Sequence, residues 1–165
     1  MQKKYLLLPI FFVVLMSTSS ISTANACQFG KVTGGGLCIV GSNSHVHMAS
    51  FGFNAMWFSR DPKPKGELNY VDQIAGLHVH MHQIDFLEVS IDLPANKPYP
   101  MQHAYFYGPC TINGVGGHFA WVQVNDNGEP GKTDAFYIVL DTGYLGGSIT
   151  IPILTGNIQI HNPPK

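Results

Sequence analysis

The chain is poor in charge: Asp, Glu, Lys and Arg together make up 12% of it, about half the usual share of a globular protein. A surface so thinly charged carries no basic stripe for nucleic acid and no polybasic patch for an anionic membrane. No apolar stripe of period 3.6 runs long enough to specify a helix. Gly-x-Ser-x-Gly, His-Glu-x-x-His and paired-carboxylate motifs are all missing, so no catalytic residue is nominated, and an enzyme ranks last among the functional readings. Cysteine is scarce, with only Cys27, Cys38 and Cys110, and without Cys-x-x-Cys neither a redox motif nor a zinc knuckle is indicated.

What is present begins with a leader. Lys3 and Lys4 precede an apolar run from Tyr5 to Met16, then a Ser/Thr-rich stretch and Ala24-Asn25-Ala26. A basic start, an apolar segment of about a dozen residues and an Ala-x-Ala site describe a secretory signal peptide over residues 1–26. The apolar run falls short of the ~20 residues of a membrane-spanning helix, so no transmembrane anchor is expected after cleavage. The competing reading is a lipoprotein signal with lipid on Cys27, but the leucine expected three residues before such a cysteine is absent. The expected location is periplasmic or extracellular.

Residues 27–165 then form one domain. Removal of Lys3 and Lys4 leaves seven basic side chains against ten acidic ones, a net charge of −3. Eighteen glycines and eleven prolines spread along the chain cut it into short apolar, β-branched and aromatic runs. These predict an all-β fold, an antiparallel β-sandwich or distorted barrel of about nine or ten short strands. Ser44 to Phe58 alternates, placing His45, His47, Ala49, Phe51, Phe53, Ala55 and Trp57 on one face, which the aromatics mark as the inner one. Leu77, Val79 and Met81 alternate with His78, His80 and His82. Ile84 to Leu93 alternates again, with Asp85, Leu87, Val89 and Ile91 on one side; an unbroken strand would put the histidines on one face with Ile84 and Phe86, and a bulge or turn at Gln83 would separate them. Ser148 to Leu154, broken by Pro152, is expected as an edge strand.

Several stretches are similar to a known family: GKVTGGG at 30–36, FGFNA at 51–55, GELNYVD and AGLHVH within 66–80, TINGVGG at 111–117, DNGEPG and DAFYIVLD within 126–141, and GNIQIH at 156–161. Together they resemble the post-COAP-like domains, an uncharacterised family of exported bacterial β-domains often found at the carboxyl end of larger surface proteins. The resemblance covers nearly all of the chain after the leader. It implies an all-β fold and an extracytoplasmic setting, and it supplies no reaction or catalytic residue. His82 and the three cysteines depart from its pattern.

Four constellations could carry chemistry. His45 and His47, with His78, His80 and His82, form two His-x-His runs. Histidines two apart on a strand point the same way with Cα atoms ~6.7 Å apart, so a pair can share an ion. Were the two strands neighbours, four imidazoles could converge on Zn²⁺, Cu²⁺ or Ni²⁺. The alternative is half-exposed polar strand residues. Asp126, Asn127, Glu129 and Asp134 crowd one loop that could hold Ca²⁺, although turn chemistry explains the same residues. Trp57 and Trp121, with Tyr99, Tyr105 and Tyr107, could form a platform on which sugar rings stack; aromatics in a β-domain are otherwise core. Cys38 and Cys110 are expected to be bridged in an oxidising compartment, the alternative being two buried free thiols.

The functional expectation is an exported small β-sandwich acting as a binding or structural module at the envelope or outside the cell. A glycan or an envelope protein is the expected partner. The alternative is a periplasmic or secreted transition-metal-binding protein built on the His-x-His pairs.

Overall fold

The computed structural model describes residues 25–27, 29–41, 45–92 and 101–161. Residues 1–24 of the expected leader, the Cys27 side chain and Tyr99 lie outside the described set. Among the described residues there is no helix, and the fold is all-β as expected.

Eleven strands follow one another: β1 (Asn25–Cys27), β2 (Gly30–Val40), β3 (His47–Trp57), β4 (Lys65–Asp72), β5 (Leu77–Met81), β6 (Phe86–Asp92), β7 (Met101–Ile112), β8 (Val115–Asp126), β9 (Ala135–Leu140), β10 (Leu145–Ser148) and β11 (Thr155–His161). They form one antiparallel sheet in the order β10-β9-β8-β7-β5-β4-β3-β2-β11, with β6 against β7 and β1 against β6. The sheet curls until its two wings face each other. Phe51 of β3 stacks on Phe136 of β9 with ring centroids 4.1 Å apart, and Phe53 meets Phe106 of β7 at 5.2 Å. Tyr70 of β4 completes the stack on Phe136. The inner face is therefore one continuous aromatic and aliphatic core.

Three strands, β2, β7 and β8, are longer than the sequence indicated, at 11 or 12 residues. The reason lies in glycines that read as punctuation but sit inside strands. A Cβ on Gly34 would come within 2.7 Å of the Phe53 ring, so this glycine makes room for a core aromatic. Gly108 lies where β7 changes partner, from β6 along its first half to β5 along its last residues. There the backbone of Gln83 crosses so closely that a Cβ would meet its carbonyl oxygen. The strand runs straight through Gly108-Pro109.

The parity break expected near Gln83 is present. Residues 82–85 leave the strand, and Met81, Ile84 and Leu87, three apart, are all fully buried. The edge strand expected over Ser148 to Leu154 is corrected. The strand here is Leu145–Ser148, and the following residues turn on the Ser148 hydroxyl, which accepts hydrogen bonds from the Thr150 and Ile151 amides. Pro152 has no amide hydrogen, so the chain rejoins the fold only at Ile153 and Leu154, whose amides donate to Asp134 and Leu37 carbonyls.

Candidate functional site on the outer face of β6 to β9

In β6 to β9 one phase of each strand feeds the core: Leu87 and Val89, Ala104 and Phe106, Ala120, Val122 and Val124, Phe136, Ile138 and Leu140 are buried. The opposite phase therefore points outward, and it is aromatic. The register aligns Phe86, Tyr107, Trp121 and Val139 in one row across the four strands. A second row holds Glu88, Tyr105, Gln123 and Tyr137. Phe119 extends the first row's ring system along β8, with its ring 6.4 Å from Trp121. Tyr105, Phe119 and Trp121 each keep 41–44% of their surface exposed, which is far from the burial that such side chains reach in a core.

The rows enclose a groove of about 250 Å³, lined by Phe86, Tyr105, Tyr107, Trp121, Gln123 and Tyr137 above core residues. Phe86 and Tyr107 stack nearly parallel, 5.3 Å apart at 14°. No Lys, Arg or carboxylate lines the groove. Among the described residues, the hydroxyls of Tyr105, Tyr107 and Tyr137 and the Gln123 amide make no side-chain hydrogen bond within the protein. Each is left to solvent or to a ligand.

The tryptophan pair expected to stack a ligand is split by the structure. Trp121 is in the groove, whereas Trp57 lies at the end of β3, edge-on to Phe29 at 5.3 Å, with its Nε1 donating to the Asp61 carbonyl at 3.1 Å. Of the tyrosines, Tyr105 and Tyr107 are in the groove. Phe86, Phe119 and Tyr137 were not anticipated, although the aliphatic phase of each strand would have identified them as outward.

The five histidines do not form one site, which corrects the four-imidazole arrangement. β4 lies between β3 and β5. His47 points to the inner side and is half-buried, while His78 and His80 share the outer face and His82 follows in the turn. Only His80 and His82 approach, with ring centroids 6.3 Å apart. His45 is exposed ahead of β3. Among the described residues no group of three or more His, Cys, Asp or Glu side chains is arranged to hold a metal ion.

His47 instead enters a buried network. Its Nε2 donates to Asp72 Oδ2 at 2.8 Å, the Tyr144 hydroxyl donates to the same oxygen at 2.6 Å, and the Ala75 amide donates to Oδ1 at 3.0 Å. Because Tyr144 gives its proton to the carboxylate, Tyr70, 2.7 Å away, donates to Tyr144. Burial pushes the Asp72 carboxyl up, but the hydrogen bonds from Tyr144, Ala75 and His47 outweigh it and hold it below the usual carboxylate range. Burial pushes both phenols upward. Gly146 is required beside them, since a Cβ there would lie 2.3 Å from the Tyr70 hydroxyl oxygen. The network ties β3, β4 and the segment entering β10 together across the core.

The acidic loop is likewise committed. Asp134 accepts from the Asn127 amide with Oδ1 and from the Ile158 amide, at 2.8 Å, with Oδ2. Asp126 accepts from Gly128 with Oδ1 and from the Ile160 amide, at 2.9 Å, with Oδ2. Glu129 accepts from the Asn157 and Gln159 side-chain amides, and Asn127 donates to the Thr133 carbonyl. Alternate amides of β11 thus receive carboxylate oxygens on the edge turned away from β2, where another strand would otherwise bind. The residues read as a calcium loop are brought together, but as a clasp that closes the curled sheet. Burial raises the Asp134 carboxyl, with the Asp126 and Glu129 charges adding to it against its two hydrogen bonds. Hydrogen bonds from Gln159 and Asn157 lower that of Glu129.

The expected bridge is also corrected: Cys38 and Cys110 are buried free thiols. In the sheet Cys38 stands opposite Ala49 of β3, and Cys110 opposite Met81 of β5 and His118 of β8, so the two are not cross-strand partners. Burial pushes both thiols up to about 11, so neither is a ready nucleophile.

Comparison of the chain with protein-family models, with curated proteins and with solved structures found no match.

Proposed function

We propose that the chain is an exported β-sandwich that works as a binding module at the cell envelope or outside the cell, with the outer face of β6 to β9 as its binding surface. One observation carries this reading: outward-facing aromatic side chains, of which Tyr105, Phe119 and Trp121 are exposed by about two fifths and Phe86, Tyr107 and Tyr137 are half-buried, occupy a sheet face whose strands already supply a core from their other phase. Those rings lie outside the core that the other phase supplies, and exposing them costs solubility. A groove lined mainly by aromatic rings with a few unpartnered polar atoms is the usual chemistry of a binding site. The sparse charge of the chain and its apparent leader fit the same setting.

The test is co-sedimentation with isolated cell envelopes. Wild-type protein should pellet with the envelope fraction, and the Tyr107→Ala/Trp121→Ala double variant should stay in the supernatant with its β-type circular dichroism intact. Equal pelleting of the two proteins would remove this face from the function.

A further inference from the structure

The groove also limits what it can hold, and on the reading of this face as the binding surface we infer that its ligand is a neutral carbohydrate chain. Three features of the site select this chemistry.

The first is size. At about 250 Å³, the groove is smaller than the 300–1,000 Å³ of pockets for drug-sized molecules. It takes one ring-sized group rather than a peptide helix. The ring surface is longer than one ring: Phe86, Tyr107 and Trp121, which line the groove, sit on three adjacent strands, a run of about 10 Å at the spacing of neighbouring strands, and Phe119 extends it along β8. A chain of linked rings can therefore lie across the strands, with one ring in the groove and the next against Trp121 and Phe119.

The second is charge. With no Lys or Arg on the lining, nothing pairs with a phosphate, sulfate or carboxylate, and Glu88 at the margin of the second row repels them. Anionic glycans, nucleic acid and anionic lipid are all disfavoured.

The third is the pattern of polar atoms. Three phenol hydroxyls and one amide stand unpartnered between apolar ring faces. An apolar partner, such as lipid tails or the same face of a second copy, would bury them without hydrogen bonds, at a cost. A sugar ring presents C–H groups on its faces and hydroxyls around its edge, so it covers the rings and pairs the polar atoms together.

The chain has two tryptophans, and Trp57 lies away from the groove, so Trp57→Phe leaves Trp121 as the sole indole reporter. Titration with neutral polysaccharides (a β-glucan, a glucomannan and a soluble starch) should shift the Trp121 emission to the blue with at least one of them. In affinity electrophoresis the same polysaccharide should retard wild-type protein, and Trp121→Ala or Tyr107→Ala should weaken that retardation tenfold or more. Polygalacturonate, an anionic control, should do neither. The inference is overturned if no neutral chain shifts the emission or the mobility, or if only polygalacturonate does. It is also overturned if sedimentation shows a dimer that Trp121→Ala dissociates, because the occupant is then a second copy. Envelope retention that depends on Trp121 while every neutral chain fails would sink the carbohydrate and leave the binding module standing. Loss of both would remove both.

Discussion

Two sets of aromatic rings share the same strands and face opposite sides of the sheet. Phe106 lies between Tyr105 and Tyr107, and Phe136 precedes Tyr137. Phe106 and Phe136 are fully buried and stack against Phe53 and Phe51 from the opposite wing. Tyr105, Tyr107 and Tyr137 face outward around an open groove. Residue type is nearly the same in both sets, so the phase of the strand decides the role. The inner rings pack the two wings of the curled sheet together, whereas on the proposed reading the outer rings serve a ligand.

The comparison breaks first where an inner ring is removed. Phe136→Ala deletes the centre of a stack formed with Phe51, Phe53 and Tyr70, and should cost about 3–5 kcal/mol in urea denaturation. Tyr137→Ala, one residue on, should cost less than about 1 kcal/mol, as surface changes do.

The polar part of the inner wall should show the next largest effect. Asp72→Ala leaves the His47, Tyr144 and Ala75 donors without their acceptor and should cost about 3 kcal/mol at neutral pH, since each orphaned buried group is worth ~1–3 kcal/mol. The wild-type Asp72 carboxyl is held below its unfolded value. Its stabilisation is therefore present above pH ~3.9 and is lost as the pH falls through the folded value. The gap between wild type and variant should narrow in acid. Asp134 has the opposite sign, because burial raises it: its contribution is full below pH ~3.9 and fades as the pH rises through the folded value. Carbon-detected NMR titration should place Asp72 below and Asp134 above the ordinary aspartate value, and a reversed order would contradict the described burial and hydrogen bonding.

The smallest expected effect is a null. With Cys38 and Cys110 unbridged, a reductant should leave the urea midpoint unchanged, and both thiols should react with iodoacetamide only on unfolding. A midpoint that falls on reduction would restore the bridge.

How much of this was legible in the sequence follows from the same distinction between phases. Alternation in 45–57 and 77–81 marked the inner face and the parity break at Gln83, because period two is written directly in the residues. The length of β2 and β7 was not legible. Gly34 and Gly108 look like turn residues, and only the approach of Phe53 and of the Gln83 backbone from distant strands shows why glycine stands there. Strand neighbours were equally hidden. Nothing in the residues says that β4 lies between β3 and β5, which carry the two His-x-His runs, or that the cysteine strands β2 and β7 are not neighbours. The acidic loop could be read locally as a turn or a cation site, since its true partners, the amides of Ile158 and Ile160, lie more than twenty residues away. Of the site itself, Trp121, Tyr105 and Tyr107 were named. Phe86, Phe119 and Tyr137 required the register that sets them in rows with those three.

The central claim, that the outer rings serve a ligand and not the fold, is tested most directly by urea denaturation of Phe106→Ala beside Tyr105→Ala, adjacent residues of one strand in opposite phase, the tyrosine being exposed by about two fifths. The account predicts a loss of about 3–5 kcal/mol for Phe106→Ala and less than about 1 kcal/mol for Tyr105→Ala. Equal losses at the two positions would mean that the outer rings are part of what holds the sheet together, and would contradict it.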